Sequence, residues 1–235
     1  MEESQLRIPL LDRLSTSEQS LLIQHSNLLH KDQGSYIFME GEKATHFFFI
    51  KEGKVRVHKL LEEGKEITIF IRERHDAFGE IGPFSGATYS CSSRAATGCE
   101  IYAIDQDSLF KILKANGSVA TEFIKWMAEK LETSSSKIKD YLMFGAEGAV
   151  ASFLIRLANL NGIQLKKGVL IEKPLTHYDI STHIGISRET VTRVLNDLKK
   201  EDIIYFRRNA LLIKNMAYLR SLLDCDKCGV QNCIL

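Results

Sequence analysis

The chain has 235 residues, 44% hydrophobic and 26% charged, with a formal net charge of +1. That length suits one large domain or two ordinary ones, and the composition is that of a folded globular protein. So balanced a charge excludes attraction of the whole molecule to nucleic acid, so any such surface must be local. No apolar run approaches the ~18 residues of a membrane span. The N-terminus lacks the basic start and apolar middle of a secretory signal, and the cytoplasm is the expected location, with no membrane partner.

In chain order, Gly34 to Ile104 reads as short strands separated by turns. Phe47–Lys51 and Val55–Leu60 flank Glu52-Gly53, a compact hairpin signal. β-branched residues recur with period two in Val55–Val57 and Ile67–Ile71, as one buried sheet face requires. Glu63-Gly64, Gly79, Gly82 and Gly86 supply further turns. Many short strands at near-regular spacing predict a jelly roll or small barrel over residues 1–115.

From Ser108 to Phe144 the rhythm becomes helical, and a helix from Gly117 to Phe144 would span about 42 Å. Its stripe of Phe123, Met127, Leu131, Ile138 and Leu142, interrupted by the polar run 133–136, is expected to bury against the same helix of a second subunit. This dimerisation segment is set at 116–145. Gly145 and Gly148 loosen the chain before another helix from Ala149 to Leu160.

Residues 175–215 carry the sharpest local pattern, within a domain set at 146–220. Thr176 and Asp179 form a capping pair at a helix start, and that helix ends at Gly185. Ser187 caps a second helix to about Glu201, with Val191, Val194, Leu195 and Leu198 on its buried face. Two short helices joined by a glycine turn predict a helix-turn-helix. On the second helix Arg188, Glu189, Thr192, Arg193 and Asn196 point away from the core. Arginine binds guanine O6 and N7 in a bidentate manner and glutamate accepts from cytosine N4. Arg188 and Glu189 stand at the helix end that enters a major groove. Beyond it, 203–206 and 210–213 bracket Arg207-Arg208-Asn209, a wing whose basic tip suits phosphate. The candidate contacts to double-stranded DNA are therefore Ser187, Arg188, Glu189, Thr192, Arg193, Arg207 and Arg208.

On Phe78-Gly79-Glu80-Ile81-Gly82 and on the run Ile186-Ser187-Arg188-Glu189-Thr190-Val191-Thr192-Arg193, the chain resembles the CRP/FNR family of transcription regulators over nearly its full length. The resemblance implies an α+β chain: a cyclic-nucleotide-binding-type jelly roll, a long dimerisation helix and a winged helix-turn-helix. It implies a homodimer that touches RNA polymerase and reads a TGTGA-N6-TCACA-like palindrome through Arg188, Glu189 and Arg193. Cyclic-nucleotide binders follow Gly-Glu with an Arg-Ser or Arg-Thr pair for the cyclic phosphate. Here Thr88-Tyr89-Ser90-Cys91 stands there without arginine, so cAMP is not the expected ligand, and Gly79 and Glu80 read as fold residues. Sensor cysteines near the N-terminus, as in the enteric branch of FNR proteins, do not occur before Cys91.

Three of the five cysteines, Cys225, Cys228 and Cys233, crowd the tail 221–235 in a C-x2-C-x4-C pattern, with Gly229 to turn the backbone. Two thiolates three apart can bite one metal centre. Three soft ligands suit an iron–sulfur cluster or zinc, and a metal-free tail is a third reading. The tail resembles the Bacillus-type branch of the family, whose C-terminal cysteines hold an oxygen-sensing [4Fe–4S] cluster completed by a carboxylate from the dimerisation helix. That resemblance implies Asp140 as the fourth ligand, against its plain reading as a solvated helix charge and against Asp224 and Asp226 as local competitors. Cys91 and Cys99 read as small buried apolar residues. The histidines His46, His58 and His75 lack the close pairing of a jelly-roll metalloenzyme, and neither a Ser–His–Asp set nor a phosphate-cradling loop is evident. No enzymatic activity is expected.

Overall fold

The computed structural model describes residues 8–61, 66–85, 88–207, 210–228, 233 and 235. The sequence-predicted turns at Glu63-Gly64 and Gly86, the wing tip Arg208-Asn209 and the tail glycine Gly229 lie outside the described residues. The chain divides into two compact units at 128/129, inside the long helix rather than at either end of it.

The first unit opens with α1 (Thr16–Gln24), started by a capping box between Ser15 and Glu18. Eight strands follow: β1 (Ser26–Lys31), β2 (Tyr36–Phe38), β3 (His46–Glu52), β4 (Val55–Leu60), β5 (Glu66–Arg72), β6 (Ala77–Phe78), β7 (Ser92–Ala95) and β8 (Cys99–Asp105). They form two four-stranded antiparallel sheets, ordered β1-β8-β3-β6 and β2-β7-β4-β5. This is the jelly roll that the alternation of apolar residues predicts. Between the sheets lies a core of Phe38, Phe48, Ile50, Val55, Phe78 and Ile101. The β3–β4 hairpin turns at Gly53, whose φ of +90° favours glycine, and a Cβ there would meet the Gly98 carbonyl at 2.3 Å. Gly79, at φ +79°, lies where a Cβ would press on the Phe48 ring at 2.9 Å. Both are fold positions.

The helices α2 (Ile81–Ser85) and α3 (Gln106–Ala115) complete this unit with the first turns of α4 (Gly117–Met143). α3 starts on Asp105, whose side chain accepts from the Ser108 N–H. On the other face of the first sheet Phe47 meets Phe123 at 5.5 Å and Trp126 at 6.0 Å between ring centroids. Each such ring removed from water contributes ~1.5–3 kcal/mol.

The second unit takes the rest of α4, then α5 (Gly145–Asn161), α6 (His177–Ile184), α7 (Arg188–Lys200) and α8 (Met216–Ser221). α4 ends where Gly145 adopts φ +59°, a conformation that stops a helix. A sheet ordered β11-β12-β10-β9 joins β11 (Ile204–Arg207) and β12 (Ala210–Ile213) to β10 (Gly168–Ile171) and β9 (Gly162–Leu165). The core runs from α5, buried from Gly148 to Ala158, to Ile180, Val191, Leu195, Leu198, Leu211 and Leu219. Among the described residues no helix is long and apolar enough to cross a membrane.

The expected dimer stripe is divided by this packing. Phe123 is 2% exposed within the core of its own domain, and Met127 packs against the same cluster. Phe123 faces inward because the aromatic wall of Phe47 and Phe49 supplies its partners. The outward apolar residues are Leu131 (70% exposed), Ile138 (58%) and Leu142 (78%), joined by Ile124 (67%), which the sequence reading passed over. The spacing of Ile124, Leu131 and Ile138 is a heptad, the period of a coiled-coil seam. The polar run is not an interruption of this stripe. Thr133 and Ser136 are buried on the opposite face of the helix with Asp140.

Candidate nucleic-acid interface and sensor site

α6 and α7 are assembled by local chemistry. The Thr176 hydroxyl accepts from the Asp179 N–H, and Asp179 in turn accepts from the Thr176 N–H, closing a capping box. Gly185 ends α6 at φ +74°. Ser187 then caps α7 by accepting from the Thr190 N–H at 3.1 Å. With Val191, Val194, Leu195 and Leu198 buried, the opposite face of α7 is turned outward. Arg188, Glu189, Arg193, Asn196 and Lys200 are exposed there along one shallow concavity. Glu189 is held below the usual carboxylate range by its own backbone N–H at the helix start and by the Ser187 hydroxyl. It remains an acceptor at neutral pH.

Thr192 is placed differently from its neighbours. Its hydroxyl donates to the Arg188 carbonyl at 2.8 Å and lies 2.8 Å from His177 Nδ1. That hydroxyl ties α7 to α6. His177 also packs edge-on to Phe206 of β11, so one side chain joins both helices and the wing. Arg207 is exposed at the end of β11, paired with Ala210 across the wing. Arg208 lies outside the described residues.

Strands β9 and β10 were not read from the sequence. Their signal is the apolar pair Ile163/Leu165 and the run Val169–Ile171 on either side of Lys166-Lys167-Gly168. Gly168 sits at φ +131°, and a Cβ there would meet the Ile213 carbonyl at 2.1 Å.

The tail continues from α8 by way of Leu223. Cys225 and Cys233 pack against the core of the second unit, and Asn159 Nδ2 donates to the Cys233 carbonyl at 2.7 Å. Burial pushes the Cys225 thiol up, followed by the charges of Cys233, Cys228 and Asp140. Cys233 is raised first by burial, with Arg156 opposing and Asp140 and Cys228 adding to the rise. Tyr141, the neighbour of Asp140 in α4, packs against that same core. Among the described residues, no three His, Cys, Asp or Glu side chains close on a single ion.

Asp140 is not a solvated charge. It is 5% exposed, and its Oδ2 accepts from Arg156 Nη2 at 2.8 Å and from the Ser152 hydroxyl at 2.7 Å. Arg156 is wholly buried in α5 and also donates to Ser136 at 2.8 Å and Ser152 at 3.0 Å. The sequence signal for this cation was available. Arg156 is the lone charge in the apolar run from Ala149 to Leu160, and a buried arginine requires a partner. Beside it, Tyr141 is pushed up to about 12, chiefly by burial.

The donor chemistry fits an iron–sulfur cluster. The tail carries three soft thiols and α4 a buried carboxylate, and among the described residues the only ion pair at Asp140 Oδ1 is with Lys139, at 3.7 Å. In the first unit a cavity of about 70 Å³ lies between the sheets. Phe38, Phe70, Arg72, Phe78, Tyr89 and Cys91 line it. Tyr89 stacks on Phe38 at 3.8 Å and donates to the His46 carbonyl, while Arg72 lies 4.0 Å over the Phe70 ring. Cys99 is buried and Cys91 half-buried.

A jelly roll followed by a winged helix-turn-helix with an outward basic face defines a modular DNA-binding regulator. Residues 28–116 match the cyclic nucleotide-binding domain and residues 148–222 the Crp-like helix-turn-helix domain. The chain is 33% identical to the anaerobic regulatory protein of Bacillus subtilis (strain 168) over 224 residues, 94% of each chain. It is 28% identical to the cAMP-activated global transcriptional regulator CRP of Salmonella typhimurium, over 77% of this chain and 87% of that one. Its fold is similar to that of a CooA mutant from Carboxydothermus hydrogenoformans, with TM-score 0.80 and 23% identity over 94% of this chain and 98% of that one. The chain belongs to the CRP/FNR family and is a DNA-binding transcription regulator.

Proposed function

We propose that this regulator controls an anaerobic response by sensing oxygen through a [4Fe–4S] cluster held by Cys225, Cys228, Cys233 and Asp140. The observation that carries the reading is that one helix, α5, holds both Asp140, through Arg156 and Ser152, and the tail at Cys233, through Asn159. The likeness to a relative named for anaerobic regulation supports it. When bound, the cluster supplies oxygen-labile chemistry. The protein's part is to tie the tail to α4, the helix whose outward stripe of Ile124, Leu131, Ile138 and Leu142 pairs two subunits. Dimerisation places two α7 helices about one DNA turn, ~34 Å, apart. They read a TGTGA-N6-TCACA-like palindrome with Arg188, Glu189 and Arg193, while Arg207 meets phosphate and RNA polymerase is the downstream partner. cAMP is not part of this reading, because Thr88–Cys91 has no arginine for a cyclic phosphate.

The test is iron and acid-labile sulfide in protein purified anaerobically, then again after exposure to air. About four of each per chain, lost in air, is the expected result for a thiolate-held cluster. Cys228→Ala should remove both. Unchanged iron and sulfide in that variant would refute the ligand set. Oxygen-dependent DNA binding without iron would select thiol oxidation instead, and zinc alone would select a structural metal.

A further inference from the structure

Resting on the cluster reading above, we propose that Arg156 is the positioning residue of the sensor site, orienting Asp140 and supplying the buried positive charge that offsets an anionic cluster. Three observations meet in one face of α5. Arg156 Nη2 holds Oδ2 of Asp140 at 2.8 Å, and Ser152 holds the same oxygen at 2.7 Å. This fixes the carboxylate and leaves Oδ1 as the oxygen available for ligation. One turn further on, Asn159 fixes the Cys233 carbonyl at 2.7 Å. Ser152, Arg156 and Asn159 thus form a cradle gripping one ligand from α4 and one from the tail.

The charge follows from the ligand set. Three thiolates and a carboxylate around a dipositive core leave the site net anionic, and such a group in a buried place needs a fixed counter-charge. Arg156, fully buried and bonded to Asp140, stands where that charge is needed. Partners that orient ligands in this way are worth ~10–100-fold in metal affinity. A purely structural ion pair between α4 and α5 would leave the electronic properties of the cluster unchanged.

The experiment compares wild type, Arg156→Gln and Arg156→Lys, each reconstituted anaerobically with iron and sulfide. Cluster retention under a chelator and the reduction potential are both read. Arg156→Gln should retain the cluster ~10–100-fold less well and shift the potential to more negative values, since a cation that favours the reduced state is gone. Arg156→Lys keeps the charge without the planar fork, so retention should fall while the potential stays near wild type. A loaded wild type with both variants matching it in retention and potential would overturn the role of Arg156 and leave the cluster standing. A wild type that assembles no cluster would overturn the cluster reading itself. If Arg156→Gln does not fold, Arg156→Lys alone decides: retention equal to wild type overturns the proposal.

Discussion

Along α4, the first turns meet their domain through Val119, Phe123 and Trp126, packed on the aromatic wall of β3. The later turns meet theirs through Thr133, Ser136 and Asp140, with Arg156 and Ser152 of α5 opposite the last two. The difference is one of kind. Apolar packing is non-directional, and its strength follows the area buried. A buried polar network depends on each donor having its acceptor, so a change of charge at one member is felt by all. The first half of α4 is held by packing, and the second half by a network that a change at Asp140 would disturb.

Both halves share the outward stripe, and its disruption should have the largest effect. Leu131→Asp with Ile138→Asp places carboxylates in the expected seam. The product should be a folded monomer by light scattering, with operator affinity down ~100-fold or more as the second half-site contact is lost. A variant that remains dimeric would show that the subunits pair elsewhere.

Phe123→Ala separates the inward face from that stripe. It should destabilise the first unit by about 3–5 kcal/mol in denaturant unfolding, while the surviving folded protein stays dimeric. A dimer defect without loss of stability would return Phe123 to the seam.

At α7, Arg188→Ala should cost about 1–3 kcal/mol at its base pair and relax discrimination there. Arg207→Ala should instead weaken binding evenly across sequences and lower the salt dependence. Equal losses on specific and random duplexes for Arg188→Ala would contradict its role as a base reader.

The smallest effect concerns His58, fully buried in β4 with its ionisation pushed down chiefly by burial. Below about pH 6.5 the unfolded chain takes up a proton that the folded site resists. Stability should therefore fall as pH drops through that value, by roughly a few degrees in Tm. His58→Gln should flatten this dependence, and an unchanged pH profile would remove His58 from it.

The helix-turn-helix was legible because its signals are local. Thr176, Asp179, Gly185 and Ser187 each act on a backbone a few residues away. The jelly roll was legible as a class because alternation needs only a buried face. What escaped depended on long-range partners. Phe123 and Ile124 are adjacent, and only the position of Phe47 and Phe49 decides which turns inward. Nothing in the spacing announces that the Thr192 hydroxyl meets His177, fifteen residues earlier in the chain. Strands β9 and β10 were missed because four-residue strands around Lys166-Lys167 carry too short a period to stand out. Asp140 could be named only from the family resemblance; Arg156 stands out as a lone charge in an apolar run, but its pairing with Asp140 comes only from the packing.

The link between the cysteine tail and DNA binding is tested most directly by titrating the palindromic duplex with anaerobically purified protein, then repeating the titration after the sample has met air. The cluster-bearing dimer should bind in the ~10⁻⁸–10⁻¹¹ M range typical of specific sites, and air should alter this affinity in step with iron loss. Identical binding curves before and after air, with iron measurably lost, would contradict the link between the cysteine tail, α4 and the DNA-reading helices.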